Sequence, residues 1–381
     1  MNRNAWMMLL VGVLGGAAAV VAVRSQPAME PERSSGEIAA AAAGLQPAAK
    51  APTAPTGVRR HGVAEPKARP SPKGATMRLA SYNIENLFDD KDDPALSGRH
   101  EDAQMTKPVS HRKAAAEAIR RIDADVLALQ EIESREALLW FRDEFLSDMG
   151  YEHVVSLDAG DERGIEQAVL SRFPVKDVKQ WVGQELGGTH PEKFGREANH
   201  YAGQPIRFHR SPLRVTIEAP GAGAPGSAAK YELTLFVVHL KSGGPGGYWR
   251  EREAQGIARE VLALQKENPK ANVVVLGDFN AQLSEASMKT LTVAPDGPRL
   301  KDAFDDRPAR DTTIQTHSSG RVIDHMLFSS EGWKEVVLET RFVLGTMTRP
   351  EGVDWRNTPA PEGWAADHYP VVVDIRLQDV P

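Results

Sequence analysis

The chain has 381 residues, of which 41% are hydrophobic, with 46 Lys and Arg against 52 Asp and Glu and no cysteine. This length and apolar content are typical of a soluble chain with one long-range core, and they exclude wholly disordered, fibrous and disulfide-stabilised proteins. The absence of cysteine also excludes thiolate catalysis, cysteine-ligated zinc and iron–sulfur clusters, so any metal is bound through oxygen or nitrogen.

Residues 1–24 are predicted to be a signal peptide or a membrane anchor. An uncharged, mostly apolar run from Ala5 to Val23 lies between Arg3 and Arg24. The run is long for the apolar core of a signal peptide and adequate for crossing a bilayer, so cleavage after Ala22 and anchoring both stay open. Both alternatives predict export: a secreted or periplasmic protein, or one anchored to the outer face of the cytoplasmic membrane.

Residues 25–76 are rich in Ala and Pro and almost devoid of aromatic and large aliphatic side chains. Such a composition predicts a disordered linker. Residues 1–76 are net basic, so residues 77–381 are more acidic than the net charge of −6 for the whole chain. An acidic folded domain binds a polyanion only through a local cluster of positive charge.

From residue 77 onward, short apolar runs alternate with helical periodicity. The predicted strands are 78–84, 125–130, 153–157, 167–171, 213–218, 231–238, 272–276, 322–328 and 370–377. The predicted helices are 110–122, 136–149, 248–267 and 284–291. Many strands with few interposed helices indicate an α/β sandwich, and no internal repeat indicates a solenoid or propeller.

Polar side chains flank six of these apolar strands. They are Asn83, Glu131, His239, Asp278 with Asn280, Asp324, and Asp367 with His368. Each alone also fits a structural explanation, such as a turn former or a buried core histidine, because short motifs match by chance. Together, carboxylates and amides bind Mg²⁺ or Mn²⁺, and imidazoles transfer protons and neutralise oxyanions. The set therefore indicates a divalent cation acting on a phosphate ester.

Six segments occur in the order SYNIENL, LALQEI, VVHLKSG, LGDFNA, RVIDHMLFS and ADHYPVV. With them, the sequence from Met77 to Leu377 resembles the endonuclease/exonuclease/phosphatase superfamily, to which deoxyribonuclease I belongs. The resemblance implies a four-layer α/β/β/α sandwich of two mixed β-sheets. It also implies that residues 77–381 form a metal-dependent phosphoesterase domain.

The resemblance further implies a metal site with Glu131 as the main ligand, joined by Asn83 and Asp367. The expected ion is Mg²⁺ or Mn²⁺, with Ca²⁺ as a further option. Glu166 resembles the acidic partner of His239, although an ordinary strand residue is the alternative at this position.

The implied reaction is in-line attack of a metal-site water on phosphorus. By resemblance, Asp278 orients or deprotonates that water, and Asn280 holds the scissile phosphate. His368, oriented by Asp324, faces the phosphate opposite His239.

Substrate does not follow from the fold, because the superfamily hydrolyses DNA, RNA, inositol phosphates, sphingomyelin and other esters at the same centre. Two Gly-rich loops, 187–212 and 243–252, carry Arg, His and aromatic residues. These loops either contact phosphates and stack bases, for example on Tyr201, Tyr248 or Trp249, or are solvated surface. The residues predicted to bind substrate are Arg210, Arg250 and Arg252.

The sequence thus predicts an exported, monomeric phosphodiester hydrolase that cleaves DNA or RNA and meets a membrane only through its N-terminal segment. The alternative within the enzyme class is a phosphatase or phospholipase C-type hydrolase acting on inositol phosphates, sphingomyelin or other small phosphoesters. A non-catalytic binding domain is the third reading. It is disfavoured because such a domain would tolerate loss of a motif, and all six motifs are present.

Overall fold

The described part of the chain, residues 56–70, 76–94, 104–221, 230–354 and 357–378, forms two six-stranded and two two-stranded β-sheets with five α-helices. The strands are β1 (Thr76–Leu87), β2 (Val126–Ile132), β3 (His153–Ser156), β4 (Glu166–Ser171), β5 (Val175–Lys179), β6 (Glu185–Thr189), β7 (Lys193–Phe194), β8 (Glu197–Ala198), β9 (Pro205–Arg207), β10 (Leu213–Pro220), β11 (Lys230–His239), β12 (Val273–Asp278), β13 (Lys301–Asp302), β14 (Asp324–Phe328), β15 (Val336–Val343) and β16 (Val371–Arg376). The helices in this computed structural model are α1 (Val109–Ile122), α2 (Arg135–Phe145), α3 (Gly247–Glu267), α4 (Ala286–Thr292) and α5 (Ser330–Glu335).

Both large sheets are mixed. The first has the order β15-β16-β1-β2-β4-β3, and the second has the order β13-β14-β12-β11-β10-β5. The β1–β2 pair is parallel in the first sheet and the β11–β12 pair is parallel in the second, while the other strand pairs are antiparallel. Parallel neighbours place the carboxyl ends of their strands at the same edge of a sheet.

Three apolar clusters separate four layers. One lies between the two sheets and joins Leu79 of β1 to Leu276 of β12. A second joins the outer face of the first sheet to α1 and α2, and a third joins the outer face of the second sheet to α3 and α4. Because each strand alternates its side chains between two such clusters, both sheets are covered on both faces. The predicted four-layer α/β/β/α sandwich is confirmed.

Every predicted strand and helix is present, with ends that differ by at most four residues. The pattern missed α5, β5, β13, β15 and the short strands β6 to β9 in and beside the predicted loop 187–212. In β15 the exposed pair Leu338 and Glu339 precedes the buried Arg341, and its register with β16 breaks between Val337 and Phe342. This strand was not recognised because the break removes the two-residue period that identifies a strand.

The structure differs from the predicted disordered linker, 25–76, over residues 56–70, which we call the N-terminal strap. Val58 exchanges backbone hydrogen bonds with Thr348 at 3.0 and 2.8 Å, and Val63 donates to Val343 O at 2.7 Å. Arg69 bonds Asp125 at 2.6 Å. These attachments are backbone and polar contacts, so a search for apolar periodicity could not detect them.

The predicted signal peptide or anchor, residues 1–24, lies outside the described residues. Among the helices that the structure describes, none combines the length and the apolar character that crossing a bilayer requires.

Candidate active site

Strand alternation directs the candidate residues into the space between the two sheets. Leu276 and Val237 pack in the cluster between the sheets, so Asp278 and His239, each two residues further along β12 and β11, face the same side. They are paired neighbours in these parallel strands. Asn83 reaches them from β1 in the other sheet, with its Nδ2 atom 3.2 Å from Asp278 Oδ2. The candidate site therefore lies where the ends of strands from both sheets meet.

Gly277 allows β12 to run close to β11. Its φ is +137°, and a Cβ atom at this position would lie 2.1 Å from Val238 O. A side chain here would push the two strands apart. The Gly in the Gly-Asp-Phe-Asn segment therefore brings Asp278 to its place in the site.

Irregular backbone turns the acidic residues of the first sheet toward the site. Strand alternation alone would direct Glu131 to the outer face, since Leu127 and Leu129 pack there. Glu131 instead has a φ of 64°, and the register of β2 with β4 shifts at this point. Glu85 has a φ of 55° in the same way. Such conformations are costly for residues other than glycine and cluster at functional sites.

Asp278 lies at the centre of the site and contacts several of its other side chains. Its Oδ1 accepts a hydrogen bond from Asn280 N at 2.7 Å, and its Oδ2 accepts one from Asn280 Nδ2 at 3.1 Å. His239 Nε2 and His368 Nε2 lie 3.4 and 3.7 Å from Oδ2. Burial raises the pKa of Asp278 to about 7, although the charge of His368 opposes this rise. Asp278 therefore exchanges a proton near neutral pH.

The two histidines differ in charge. His368 Nδ1 donates to Asp324 at 2.9 Å. Burial by itself would lower the pKa of His368, but the charges of Asp324 and Asp278 raise it well above its usual value. Burial, followed by the charge of Arg210, lowers the pKa of His239 well below its usual value. The surroundings thus favour the charged form of the His368 imidazole and the neutral form of the His239 imidazole.

Asn83 and Asn280 both orient carboxylates. Asn83 donates to Glu131 Oε1 at 3.4 Å as well as to Asp278, and its Oδ1 accepts from Glu85 N at 3.0 Å. Asn280 Nδ2 bonds Leu240 O at 3.1 Å in addition to Asp278. Both N–H groups of the Asn280 amide are therefore used within the protein, which makes it an orienter of Asp278 in this structure.

Several carboxylates lie together around the residues that are predicted to bind the metal. Burial, followed by the charge of Asp367, raises the pKa of Glu85 to about 7, and Glu131 adds to the effect. Asp367 lies 3.3 Å from His317 Nε2. Although burial opposes it, the hydrogen bond from His317 and the charge of His368 lower the pKa of Asp367.

These donors fit a hard divalent ion. Carboxylate oxygens from Glu131 and Asp367, with Glu85 beside them, are the ligands that Mg²⁺ and Mn²⁺ prefer. Within the described residues, two sets of His and Asp ligand atoms lie within 4.8 Å of one another: His317, Asp367 and His368, and Asp278, Asp324 and His368. Glu131 belongs to neither set. The predicted ligands therefore fall into two groups, Asp367 in one and Asn83 with Glu131 in the other.

Sequence reasoning missed four residues of the site. Glu85 follows Asn83 by two residues, and its charge within SYNIENL was an available signal. Lys107 donates to Glu85 O at 2.7 Å, and Arg163 contacts Asn86 and lies 3.5 Å from Glu131. His317, the fourth, lies with its ring 4.7 Å from that of His368. The last three come from loops or helix starts without a local motif.

Two of the three predicted substrate arginines are structural. Arg210 is 2% exposed and forms an ion pair with Asp161 at 2.6 Å. Arg250 is 4% exposed; it donates to Lys241 O and Gly243 O and pairs with Glu285 at 3.0 Å. The prediction that Arg210 and Arg250 bind substrate is corrected, because their guanidinium groups hold the loops together.

Arg252 is half-buried on α3 and donates to Gln255 at 3.1 Å. Its predicted contact with substrate stays a prediction.

Glu166 does not pair with His239. Its Oε2 accepts a hydrogen bond from Ser156 Oγ at 2.5 Å, and burial raises its pKa to about 7. His239 Nδ1 has no hydrogen-bond partner among the described residues. The prediction that Glu166 pairs with His239 is therefore corrected, because Glu166, at the start of β4, is hydrogen-bonded to Ser156 of β3.

Two cavities adjoin the centre. The polar cavity has a volume of about 590 Å³, and residues that line it include Arg60, Glu85, His317, Arg349, Trp364 and Asp367. The aromatic cavity has a volume of about 290 Å³, and residues that line it include Arg163, Phe194, Tyr201, His209, Lys241 and Trp249. Asp367 connects the first to His368, and Arg163 connects the second to Glu131.

Solved structures with a similar course of the chain include the human nocturnin catalytic domain with bound sulfate, with 14% identity, 79% of this chain and 94% of that chain covered, and a TM-score of 0.48. Truncated TDP2 from Caenorhabditis elegans has 17% identity, coverage of 80% and 98%, and a TM-score of 0.47. The mannosyl-6-phosphatase from Bacteroides thetaiotaomicron has 16% identity, coverage of 78% and 98%, and a TM-score of 0.47.

A search among curated proteins found no match. The model of the Endonuclease/Exonuclease/phosphatase family, in contrast, matches residues 80–368, which is well over half of the chain. This range contains five of the six motifs and the first residues of the sixth, with both large sheets apart from the first residues of β1 and strand β16. The chain therefore belongs to the endonuclease/exonuclease/phosphatase family and is a phosphoric ester hydrolase of the metal-dependent type.

Proposed function

We propose that the protein is an exported nuclease that hydrolyses phosphodiester bonds of DNA or RNA with Mg²⁺ or Mn²⁺. The observation that supports a diester is the pair of unlike cavities beside one centre. A phosphodiester carries a substituent on each side of phosphorus, whereas a monoester carries one. Two flanking cavities therefore suit a substrate whose chain continues in both directions.

Each residue of the centre has a role in this proposal. Asp278 takes the proton of the attacking water, because its raised pKa makes it a base near neutral pH. His368, kept protonated by Asp324, donates to an oxygen of the phosphate, and neutral His239 donates through Nε2. Asn83 and Asn280 hold Asp278 in position.

Glu131 and Asp367 would hold the cation, with Glu85 contributing negative charge. A bound divalent ion supplies Lewis-acid stabilisation of the charge that develops on the phosphate oxygens. Ca²⁺ is a further option for the same oxygen donors.

A specific observation favours a second candidate, a phosphatase or phospholipase C-type hydrolase acting on small phosphoesters. Arg210 and Arg250 face the interior, which removes two of the cations expected to bind a long polyanion. Arg60, Lys241 and Arg349 remain beside the centre, and so few charges also suffice for a small ester.

A substrate screen separates the two candidates. Purified full-length protein is incubated with plasmid DNA, RNA, sphingomyelin vesicles and inositol phosphates, each with Mg²⁺ and each with EDTA. Asp278→Asn, prepared in parallel, reports contaminating activity. Cleavage of nucleic acid by the wild type alone supports the nuclease, and hydrolysis confined to the lipid or the inositol phosphates would replace it with the second candidate.

Export rests on the sequence of residues 1–24. Fractionation of cells that express the full chain with a C-terminal tag tests it. Recovery of the protein only from the cytoplasm would contradict export while leaving the proposed chemistry intact.

A further inference from the structure

The aromatic cavity presents rings that the chemistry of the centre does not use. Tyr201 and His209 pack around Trp249, with ring centroids 5.3 and 4.9 Å from that of the indole. Trp249 is buried, whereas Tyr201 and Phe194 are half-buried and line the cavity. The buried indole supports Tyr201, and Tyr248 lies against Phe194 with ring centroids 6.5 Å apart, so both outer rings line the cavity on a packed support.

Lys241 places a cation in this cavity, which is also lined by Asp161, Glu162 and Glu197. Lys241 Nζ lies 5.6 Å from the centroid of Phe194 and 5.9 Å from that of Trp249. Lys241 Nζ forms no ion pair and no hydrogen bond with the residues that the structure describes. Burial, followed by the charge of Arg210, lowers the pKa of Lys241, while the charges of Glu253 and Asp161 oppose this. An ammonium group that is half-buried and unpaired is suited to an anionic ligand.

The cavity is continuous with the centre through two segments. Lys241 follows His239 by two residues, and the intervening Leu240 O accepts the hydrogen bond from Asn280. Arg163 lines the cavity and also lies 3.5 Å from Glu131. These two links place the wall of the cavity beside the centre, on the side of His239 and Glu131.

We propose that the aromatic cavity binds the unstacked base of the nucleotide that adjoins the scissile phosphate. This inference rests on the proposed function, in which nucleic acid is the substrate. The base stacks on Tyr201 and Phe194, and Lys241 contacts the adjoining phosphate. A volume of about 290 Å³ admits one ring system and is small for an acyl chain. Because a base enters the cavity only after leaving its neighbours, the enzyme prefers single strands to duplex.

The kinetic test compares an oligonucleotide of the type that the enzyme cleaves with a counterpart that has the same backbone and abasic residues. Tyr201→Ala raises KM for the base-bearing strand by about fivefold to a hundredfold, the range expected for stacking on one aromatic ring. It leaves KM for the abasic strand within about twofold. Tyr201→Phe keeps the ring and restores the lower KM.

Lysine variants provide a matched control. Lys241→Met raises KM for both strands, because it removes a phosphate contact. Lys179 has the same kind of ring contact, 4.7 Å from Trp181, but lies on β5, so Lys179→Met changes KM for neither strand.

Direct binding gives a readout independent of turnover. Full-length Asp278→Asn is titrated with a single strand that contains 2-aminopurine, whose fluorescence changes when the base leaves its neighbours and stacks on tyrosine. The change is expected with Tyr201 present and lost in the Asp278→Asn, Tyr201→Ala chain.

Equal KM values for the two strands, or an equal effect of Tyr201→Ala on both, would overturn the base site and leave the nuclease proposal standing. Failure to bind or cleave either strand with Mg²⁺ would overturn both proposals.

Discussion

The two cavities beside the centre are lined by different kinds of side chain. The polar cavity is walled by the N-terminal strap, which contributes Arg60, and by the segment that follows β15, which contributes Arg349. The aromatic cavity is walled by the loop between β4 and its preceding strand and by the segment from β7 to α3. The first is about twice as large and carries His317 against Asp367. The comparison teaches that one centre is flanked by walls of unlike chemistry, one charged and one aromatic.

The supports of the two cavities also differ. Arg60 is held by a hydrogen bond to Arg349 O at 2.9 Å and by a weak ion pair with the exposed Glu351. The aromatic cavity is fixed from beneath by Glu253, which accepts from His209 N at 3.0 Å and Lys241 N at 2.9 Å. The aromatic wall is thus anchored through a buried carboxylate, whereas the charged side chain of Arg60 on the polar wall is held by exposed contacts.

The largest effect on turnover is expected from removal of the metal, because both cavities adjoin the same centre. Removal of divalent ions by excess EDTA should abolish turnover of every substrate, and Mg²⁺ or Mn²⁺ should restore it, because Glu131 and Asp367 are hard oxygen donors. Turnover measured before and after chelation checks this. Full activity in excess chelator would contradict the proposed chemistry.

Loss of the proposed acid or base should have the second largest effect on turnover. Asp278→Asn and His368→Ala should each lower kcat by about 10² to 10⁴, because each removes a positioned proton-transfer or charge-stabilising group. Thermal melting should show that both variants remain folded. Wild-type turnover in either variant would show that the role given to that residue is wrong.

A smaller effect should distinguish the polar cavity. Replacing Arg60 and Arg349 together with Ala should raise KM for nucleic acid more than it lowers kcat, since these groups would contact ground and transition states alike. The slope of log affinity against log salt should flatten by up to about two. Arg259→Ala, an exposed change on α3, is the control. An unchanged slope in the double variant would exclude phosphate contacts at this wall.

The smallest effect concerns stability of the aromatic wall. Burial raises the pKa of Glu253 to about 7, against about 4.3 for an unfolded chain. The stabilising contribution of this carboxyl is therefore complete below about pH 4.3 and is lost as the pH rises to about 7, by at most about 4 kcal/mol.

Glu253→Gln does not ionise, so its free energy of unfolding should lack that loss. Urea unfolding of both proteins at pH 5 and pH 8 checks the difference. Parallel pH dependence in the two proteins would show that Glu253 is not the group responsible.

Much of the fold and the centre could be predicted from the sequence. Short apolar runs identified β1, β11 and β12, and the polar residues that flank them, Asn83, His239 and Asp278, meet as expected. The Asp324–His368 pair was also anticipated from its motifs. These features were readable because each depends on a short segment whose period determines which side chain faces the other sheet.

Only the tertiary structure decided which other charges reach the centre. Arg250 stood in a loop suited to phosphate contact, yet it is buried against Glu285, while Arg163 and His317 arrive from segments without a motif. The N-terminal strap joins the domain through backbone hydrogen bonds that composition does not reveal. The sequence by itself determined nine of the strands, four of the helices, the family resemblance and the strand-end residues, because those depend on local pattern. The walls of the two cavities depend on contacts between segments far apart in the chain, and on burial that follows only once those segments are packed.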